Sequence, residues 1–234
     1  MTRRTLLALL ALLAFLAAPP LAAQVGHSPE TSPYRDIRFG NYLVATGGRV
    51  FGDGGQVGVA PHDGASLGLR FVTLGNRPLQ ISFSFAYADL ERLLQDPSKP
   101  AATRTSGPVS QRVLWADLGL QLNITGNKSW HGIAPFAGAA GGISFSESVA
   151  EDTTGFRMGT KVYFAPLAGT RIFLGQRLYL LLEARAVFWS VKYPSAYRIP
   201  PSADDPPLIT SGSSEWTATP WLQAGLGWAF SLPF

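Results

Sequence analysis

The chain has 234 residues, of which 46% are hydrophobic and only 15% charged, with 25 Gly, 18 Pro and no Cys. Soluble domains carry about 25% charge, intrinsic disorder requires low hydrophobicity, and a chain without Cys has no disulfide framework, thiolate metal centre or Cys nucleophile. The formal charge of +4, with no basic stripe, is too small for a nucleic-acid footprint.

At the start, Arg3 and Arg4 precede the uncharged run 6–16; Pro19 and Pro20 break it, and Leu21-Ala22-Ala23 leads into Gln24. A basic start, an apolar middle and a small-residue exit describe a secretory signal peptide, and the run is shorter than the ~20 residues of a spanning helix. Cleavage is expected after Ala23, giving a leader at 1–23, an N-terminal periplasmic segment at 24–38 and one domain at 39–234. Gln24, where a lipoprotein needs Cys, argues against a lipid anchor. No later stretch is long and apolar enough for a membrane helix.

From there the chain alternates. The first strand, 39–50, is the least regular, and 65–74 is weak. In 79–87, Leu79, Ile81, Phe83, Phe85 and Tyr87 share one parity, and Gln80, Ser82, Ser84 and Ala86 the other. In 114–124, Leu114, Leu118, Leu120, Leu122 and Ile124 oppose Trp115, Asp117, Gly119, Gln121 and Asn123. The segments 133–145 and 161–173 are weaker. In 178–189, Leu178, Leu180, Leu182 and Phe188 oppose Tyr179, Glu183, Arg185 and Trp189; 222–234 closes with Leu222, Leu226, Trp228, Phe230, Leu232 and Phe234 against Gln223, Gly225 and Gly227. A period of two marks strands with unlike faces. These segments make eight strands, joined by short gaps near 75–78, 125–131 and 174–177 and by long ones near 51–64, 91–110, 146–155 and 192–214. Short turns at one end and long loops at the other are the asymmetry of outer-membrane barrels. Pro166 falls in mid-strand, where either a bulge or a different strand boundary is expected.

Alternation leaves open which parity points inward. A soluble barrel would place Ile81, Phe83 and Phe85 inside and expose Gln80, Ser82, Ser84 and Gly119, a face poor in the Lys and Glu of solvated surfaces. The larger face is nearly free of charge, as a bilayer demands, because a charge facing lipid costs about 2–4 kcal/mol near the midplane. The reading is therefore all-β: a closed antiparallel up-and-down transmembrane β-barrel of eight strands, closed because lipid tolerates no open sheet edge.

The C-terminal run Trp228, Phe230, Leu232 and Phe234 resembles the terminal strand of bacterial outer-membrane barrel proteins, and the whole mature chain is similar in architecture to the small OmpA-, OmpX- and OmpW-like class. That resemblance implies residence in the Gram-negative outer membrane among lipid and lipopolysaccharide. It also implies insertion by the barrel assembly machinery through that strand; no cofactor is expected. No appended domain is expected after the last strand. Trp228, Phe230 and Phe234 are placed at the inner membrane interface, and Tyr87, Phe188, Trp189, Tyr193 and Trp216 near the outer one, although Trp115, Trp189 and Trp221 fall on the lumen parity.

Six charges fall on or near the inward parity: Arg70, Asp117, Lys161, Arg171, Glu183 and Arg185. Buried charges must pair, so they are expected to form a lumen network, either a rigid plug or a gate. His62 beside Asp63 is the one His on the outer side, and the local His-x-Ser arrangement and nucleophile–base pair of a lipid-modifying enzyme are missing. Asp53, Asp63, Glu151, Asp152, Asp204 and Asp205 have no metal-ligand spacing and read as solvated loop charge; Lys99, Arg104, Lys192 and Arg198 are candidates for lipopolysaccharide phosphates. The function expected first is a non-enzymatic structural or surface-interaction barrel with a salt-bridged lumen. The alternatives are a passive pore for small or hydrophobic solutes and, less favoured, a lipid A-modifying enzyme.

Overall fold

Strands whose faces differ in size and polarity bury one face by curling, and here the curl closes. The computed structural model describes residues 32–37, 40–73 and 78–230. Its strands are β1 (Tyr34–Asp36), β2 (Asn41–Val50), β3 (Gly64–Thr73), β4 (Leu79–Gln95), β5 (Thr105–Asn123), β6 (Lys128–Trp130), β7 (Ile133–Ser146), β8 (Lys161–Phe173), β9 (Leu178–Lys192) and β10 (Ser214–Phe230). Strands β2, β3, β4, β5, β7, β8, β9 and β10 pair antiparallel in that order, and β10 returns to β2 through Trp221↔Val50 to Phe230↔Asn41. The fold is the closed up-and-down barrel expected from the alternation, eight strands in a ring. The leader 1–23, Leu74 and the terminal Leu232 and Phe234 lie outside the described residues.

The greasy parity points outward. Leu67, Phe85, Leu114, Leu118, Leu120, Leu122, Leu222 and Trp228 are all exposed, while Gln80, Ser82, Ser84, Asp117, Gln121 and Gln223 on the alternate parity are buried. Strands β4, β5 and β10 run to 17, 19 and 17 residues, beyond the ~9–11 that cross a bilayer when tilted, so their upper ends form walls above the apolar belt.

Two connections differ from the sequence reading. The long gap expected at 91–110 is mostly strand: β4 and β5 stay paired to Gln95↔Thr105, past an irregularity between Arg92 and Leu94. The turn expected at 125–131 holds β6, whose residues pair with β1 through Tyr34↔Trp130 and Asp36↔Lys128. The last described part of the 24–38 segment is thereby bound to the short-turn end of the barrel.

Pro166 makes no bulge. The β8–β9 ladder skips Ala165 and Pro166 and resumes at Leu167↔Arg185 in the register it had at Phe164↔Phe188. Proline lacks the N–H that the ladder needs, and the long pairings on either side hold the register through the gap.

Gly227 allows a close approach inside the barrel. Tyr179 is its cross-strand partner, and a Cβ at 227 would lie 2.1 Å from Tyr179 Cζ. The ring therefore lies over the glycine, as aromatics do when they cover strand glycines, and packs at its other edges on Tyr42 at 5.3 Å and Phe173 at 5.6 Å between centroids.

Candidate functional site

The barrel interior fills in layers, each set by which inward residues share a height in the register. At the short-turn end, Arg171 on β8 is buried and donates to Asn123 Oδ1 at 2.6 Å and Gln121 Oε1 at 2.5 Å, with its guanidinium 4.4 Å from the centre of the Phe136 ring. Tyr42 and Tyr179 close this floor.

The ionic layer lies above it. Arg70 on β3 bonds Glu183 on β9 twice, Nη1 to Oε2 at 2.5 Å and Nη2 to Oε1 at 2.8 Å. Arg185 donates to the same Glu183 Oε1 from Nε at 3.0 Å and Nη2 at 2.8 Å, and its Nη1 reaches Asp117 Oδ2 on β5 at 3.0 Å. Tyr163 donates to that Asp117 oxygen at 2.9 Å, and Arg70 Nε to Ser84 Oγ at 3.0 Å. Two guanidiniums face two carboxylates, so the layer is neutral as a unit, with the paired geometry that a desolvated ion cluster requires, and of its carboxylate oxygens Asp117 Oδ1 alone is buried without a hydrogen-bond partner among the described residues. The remaining void beside Arg70, Asp117 and Arg185 is about 10 Å³, room for no more than one water.

Four of the six expected lumen charges therefore meet: Arg70, Asp117, Glu183 and Arg185. Arg171 stands below them with neutral partners. Lys161 stands above: at the height of Asp117 the register brings Gly142 and then Tyr163, and Lys161 is one inward step nearer the mouth, half-buried and in no ion pair among the described residues. Parity alone assigns these side chains to the inside but not to a height.

A tryptophan layer seals the ions. Trp115 lies 4.7 Å from Trp221 and 6.1 Å from Trp189 between centroids, and the Arg185 guanidinium sits 5.0 Å over the Trp221 ring. Trp221 Nε1 donates to Ser66 Oγ at 2.8 Å. Trp189 and Tyr193, placed at the outer interface by the sequence reading, are buried inside instead, whereas Tyr87, Trp216 and Trp228 are exposed on the outer surface. Trp189 is an inward-parity residue of β9, and the loop from 193 to 213 folds inward and takes Tyr193 with it.

That inward folding is the feature the sequence reading missed. Val59 and Ala60 from the β2–β3 loop, Phe156 and Met158 from the β7–β8 loop, and Tyr197 and Ile209 from the β9–β10 loop join Leu90, Val113 and the Trp layer in one core. Of the six loop carboxylates that read as solvated, Asp152 and Asp205 tie down neighbouring segments, and Glu215 at the start of β10 does the same. Asp152 Oδ2 accepts from Arg92 Nη2 at 2.5 Å, and its Oδ1 accepts from the Thr154 hydroxyl at 2.5 Å and the Thr154 amide at 2.8 Å. Asp205 accepts from the Ala101 amide at 3.2 Å, and Glu215 from the Gln56 amide at 2.6 Å and from the Tyr193 hydroxyl. Burial acts to raise the Asp152 pKa, but the bonds from Thr154 and Arg92 outweigh it and hold the carboxyl below its ordinary value. The apolar spacing of Val59, Phe156, Met158 and Ile209 among Gly, Pro and Ser was the available signal, but scattered single hydrophobics in a loop have no periodicity to mark them.

His62 Nδ1 lies 3.9 Å from Asp63 Oδ2, and its backbone amide donates to Glu91 O at 2.9 Å, an arrangement that anchors the first loop. Among the described residues no group of three His, Asp or Glu side chains is set to hold a metal.

No protein-family model matches the chain, and no curated protein matches it in sequence. In fold it is similar to solved outer-membrane proteins. The outer membrane protein OprG of Pseudomonas aeruginosa aligns at a TM-score of 0.50 and 13% identity over 84% of this chain and 99% of that one. The Neisserial surface protein A aligns at 0.48 and 10% over 85% and 98%. A major outer membrane protein of Thermus thermophilus aligns at 0.40 and 12% over 81% and 99%. The likeness to OprG supports the barrel fold and nothing finer.

Proposed function

We propose that this chain is a non-enzymatic outer-membrane barrel with a sealed lumen, serving a structural or surface-interaction role. The belt of exposed Leu and Phe around the wall supports membrane residence, since soluble monomers rarely expose apolar patches beyond a few hundred Å². The 1–23 leader directs export, and the last strand, with Trp228 and Phe230, is the element offered to the barrel assembly machinery. Lipid and lipopolysaccharide are then the surroundings of the belt and loops.

The observation that carries the sealed reading is the stack of Arg70–Glu183–Arg185–Asp117 under Trp115, Trp189 and Trp221, with a void of only about 10 Å³ beside the charges. A conduit needs a continuous polar path, and here the ion pairs join β3, β5 and β9 across the bore beneath the Trp rings. Planar-bilayer recording of the refolded full chain tests this: electrical silence is expected, and a steady single-channel current would establish the pore reading in its place.

A further inference from the structure

At the long-loop end, a cavity of about 230 Å³ lies between the upper wall and the β7–β8 loop, lined by Arg92, Gln111, Ser146, Glu147, Phe156, Arg157 and Met158, among others. It is separate from the ionic layer and lies beyond the Trp layer. Its volume is below the ~300–1,000 Å³ of sites for drug-sized ligands, so it suits a small group.

Arg92 gives the cavity its chemistry. The residue is 1% exposed. Nε donates to Gln111 Oε1 at 3.0 Å and Nη2 to Asp152 Oδ2 at 2.5 Å, and the guanidinium stacks 5.3 Å over Phe156. The third edge, Nη1, is buried with no hydrogen-bond partner among the described residues, and so is the Ser146 hydroxyl on the same cavity wall. Leaving one buried donor without an acceptor is costly; here two such donors belong to residues that line one cavity. Arg157 stands exposed at its edge. Of the nearby carboxylates, Asp152 is bound to Nη2, and exposed Glu147 reaches 3.9 Å from exposed Arg112. An unpartnered guanidinium edge and an unpartnered hydroxyl on the lining of one cavity, with a second guanidinium on the same lining, are donors of the kind that the oxygens of a phosphate group accept from.

We propose that this cavity binds a phosphate group through Arg92 Nη1, Ser146 Oγ and Arg157. The site holds whether or not the lumen conducts. The phosphate is either free inorganic phosphate or the headgroup of a phosphomonoester lipid at the membrane surface.

The test uses the full chain refolded in a maltoside detergent. Calorimetric titration with inorganic phosphate, against chloride at equal ionic strength, forms one arm. Mixed micelles carrying phosphatidic acid, against micelles carrying diacylglycerol, form the other. Saturable binding is expected in at least one arm. Free phosphate binding identifies a soluble ion, and binding of phosphatidic acid alone identifies a lipid headgroup. Ser146→Ala and Arg157→Gln are expected to weaken binding about fivefold or more each, and Ser146→Leu to abolish it by filling the cavity, with unchanged unfolding midpoints showing that these variants fold. Arg92→Gln is a further variant only, because it also releases Asp152. Absence of saturable binding in both arms, or wild-type affinity in folded Ser146→Leu, overturns the proposal.

Discussion

Glu183 is the point on which the ionic layer turns, and Glu183→Gln tests it. The carboxylate accepts from Arg70 Nη1 and Nη2 and from Arg185 Nε and Nη2. The amide keeps the shape but has one accepting oxygen, and turns an NH₂ toward guanidiniums that can only donate. Arg185 retains Asp117 at 3.0 Å, while Arg70 is left with Ser84 at 3.0 Å and Gln223 at 3.4 Å and no carboxylate. Removing one partner of a buried pair costs about 3–5 kcal/mol. With an unfolding slope of about 2 kcal/mol per molar urea, the midpoint should fall by about 1.5–2.5 M. The assay is urea unfolding in detergent followed by tryptophan fluorescence, with Trp115, Trp189 and Trp221 stacked above the site as reporters. The double variant Arg70→Met with Glu183→Leu removes both members of that ion pair, leaves Arg185 on Asp117, and should lose distinctly less than Glu183→Gln, since apolar replacement of a whole buried pair is often neutral. A Glu183→Gln barrel within about 0.5 kcal/mol of the parent, the normal range for an inconsequential substitution, would refute the reasoning.

Three further outcomes follow from the same geometry. Leu118→Arg, in the middle of the exposed belt, should cost about 2–4 kcal/mol in lipid-reconstituted unfolding, while Leu118→Phe should cost little. Gly227→Ala places a Cβ 2.1 Å from Tyr179 Cζ, and the displaced ring should cost about 1–3 kcal/mol by the same urea assay; Tyr179→Ala in the Gly227→Ala background should remove the clash and make the pair non-additive. The Asp152 carboxyl is held below its ordinary value, so its contribution is complete above the unfolded value near 3.9 and is lost as pH falls through the lower folded value. Hydrogen exchange at 147–160, corrected for intrinsic rates, should therefore accelerate below about pH 4 in the parent. In Asp152→Asn the same segment should exchange fast at every pH.

How much of this was legible in the sequence depends on periodicity. Where a segment alternates, as at 79–87, 114–124 and 178–189, strand, face and environment follow together, because one parity is uncharged and dominated by Leu, Ile and Phe while the other carries the Gln, Ser, Trp and charged residues. The same logic placed Arg70, Asp117, Glu183 and Arg185 inside. It did not separate them from Arg171 and Lys161, because height in the bore is set by inter-strand register, a long-range property with no local signal. The β4–β5 wall up to Gln95 was hidden by its Pro, Ser and Gly residues, which pair as strand because the neighbour across the hairpin is held a few residues away. The mouth plug was missed because Phe156, Met158 and Ile209 come from loops remote in sequence and form a core only once the ring has closed. Arg92 and Asp152 illustrate the same limit: one is on a strand and one in a loop, 60 positions apart.

The account stands on outward apolar residues meeting lipid while inward polar residues fill the bore. The chain has no Cys, so single substitutions to Cys carry one spin label each. In bilayers, labels at Phe83→Cys, Phe85→Cys, Leu118→Cys and Leu120→Cys should collide with membrane-dissolved oxygen and not with an aqueous nickel chelate. Labels at Ser82→Cys and Ser84→Cys should be shielded from both. Labels at 83, 85, 118 and 120 that collide with the aqueous chelate, or that are shielded while 82 and 84 meet oxygen, would contradict the account at its root.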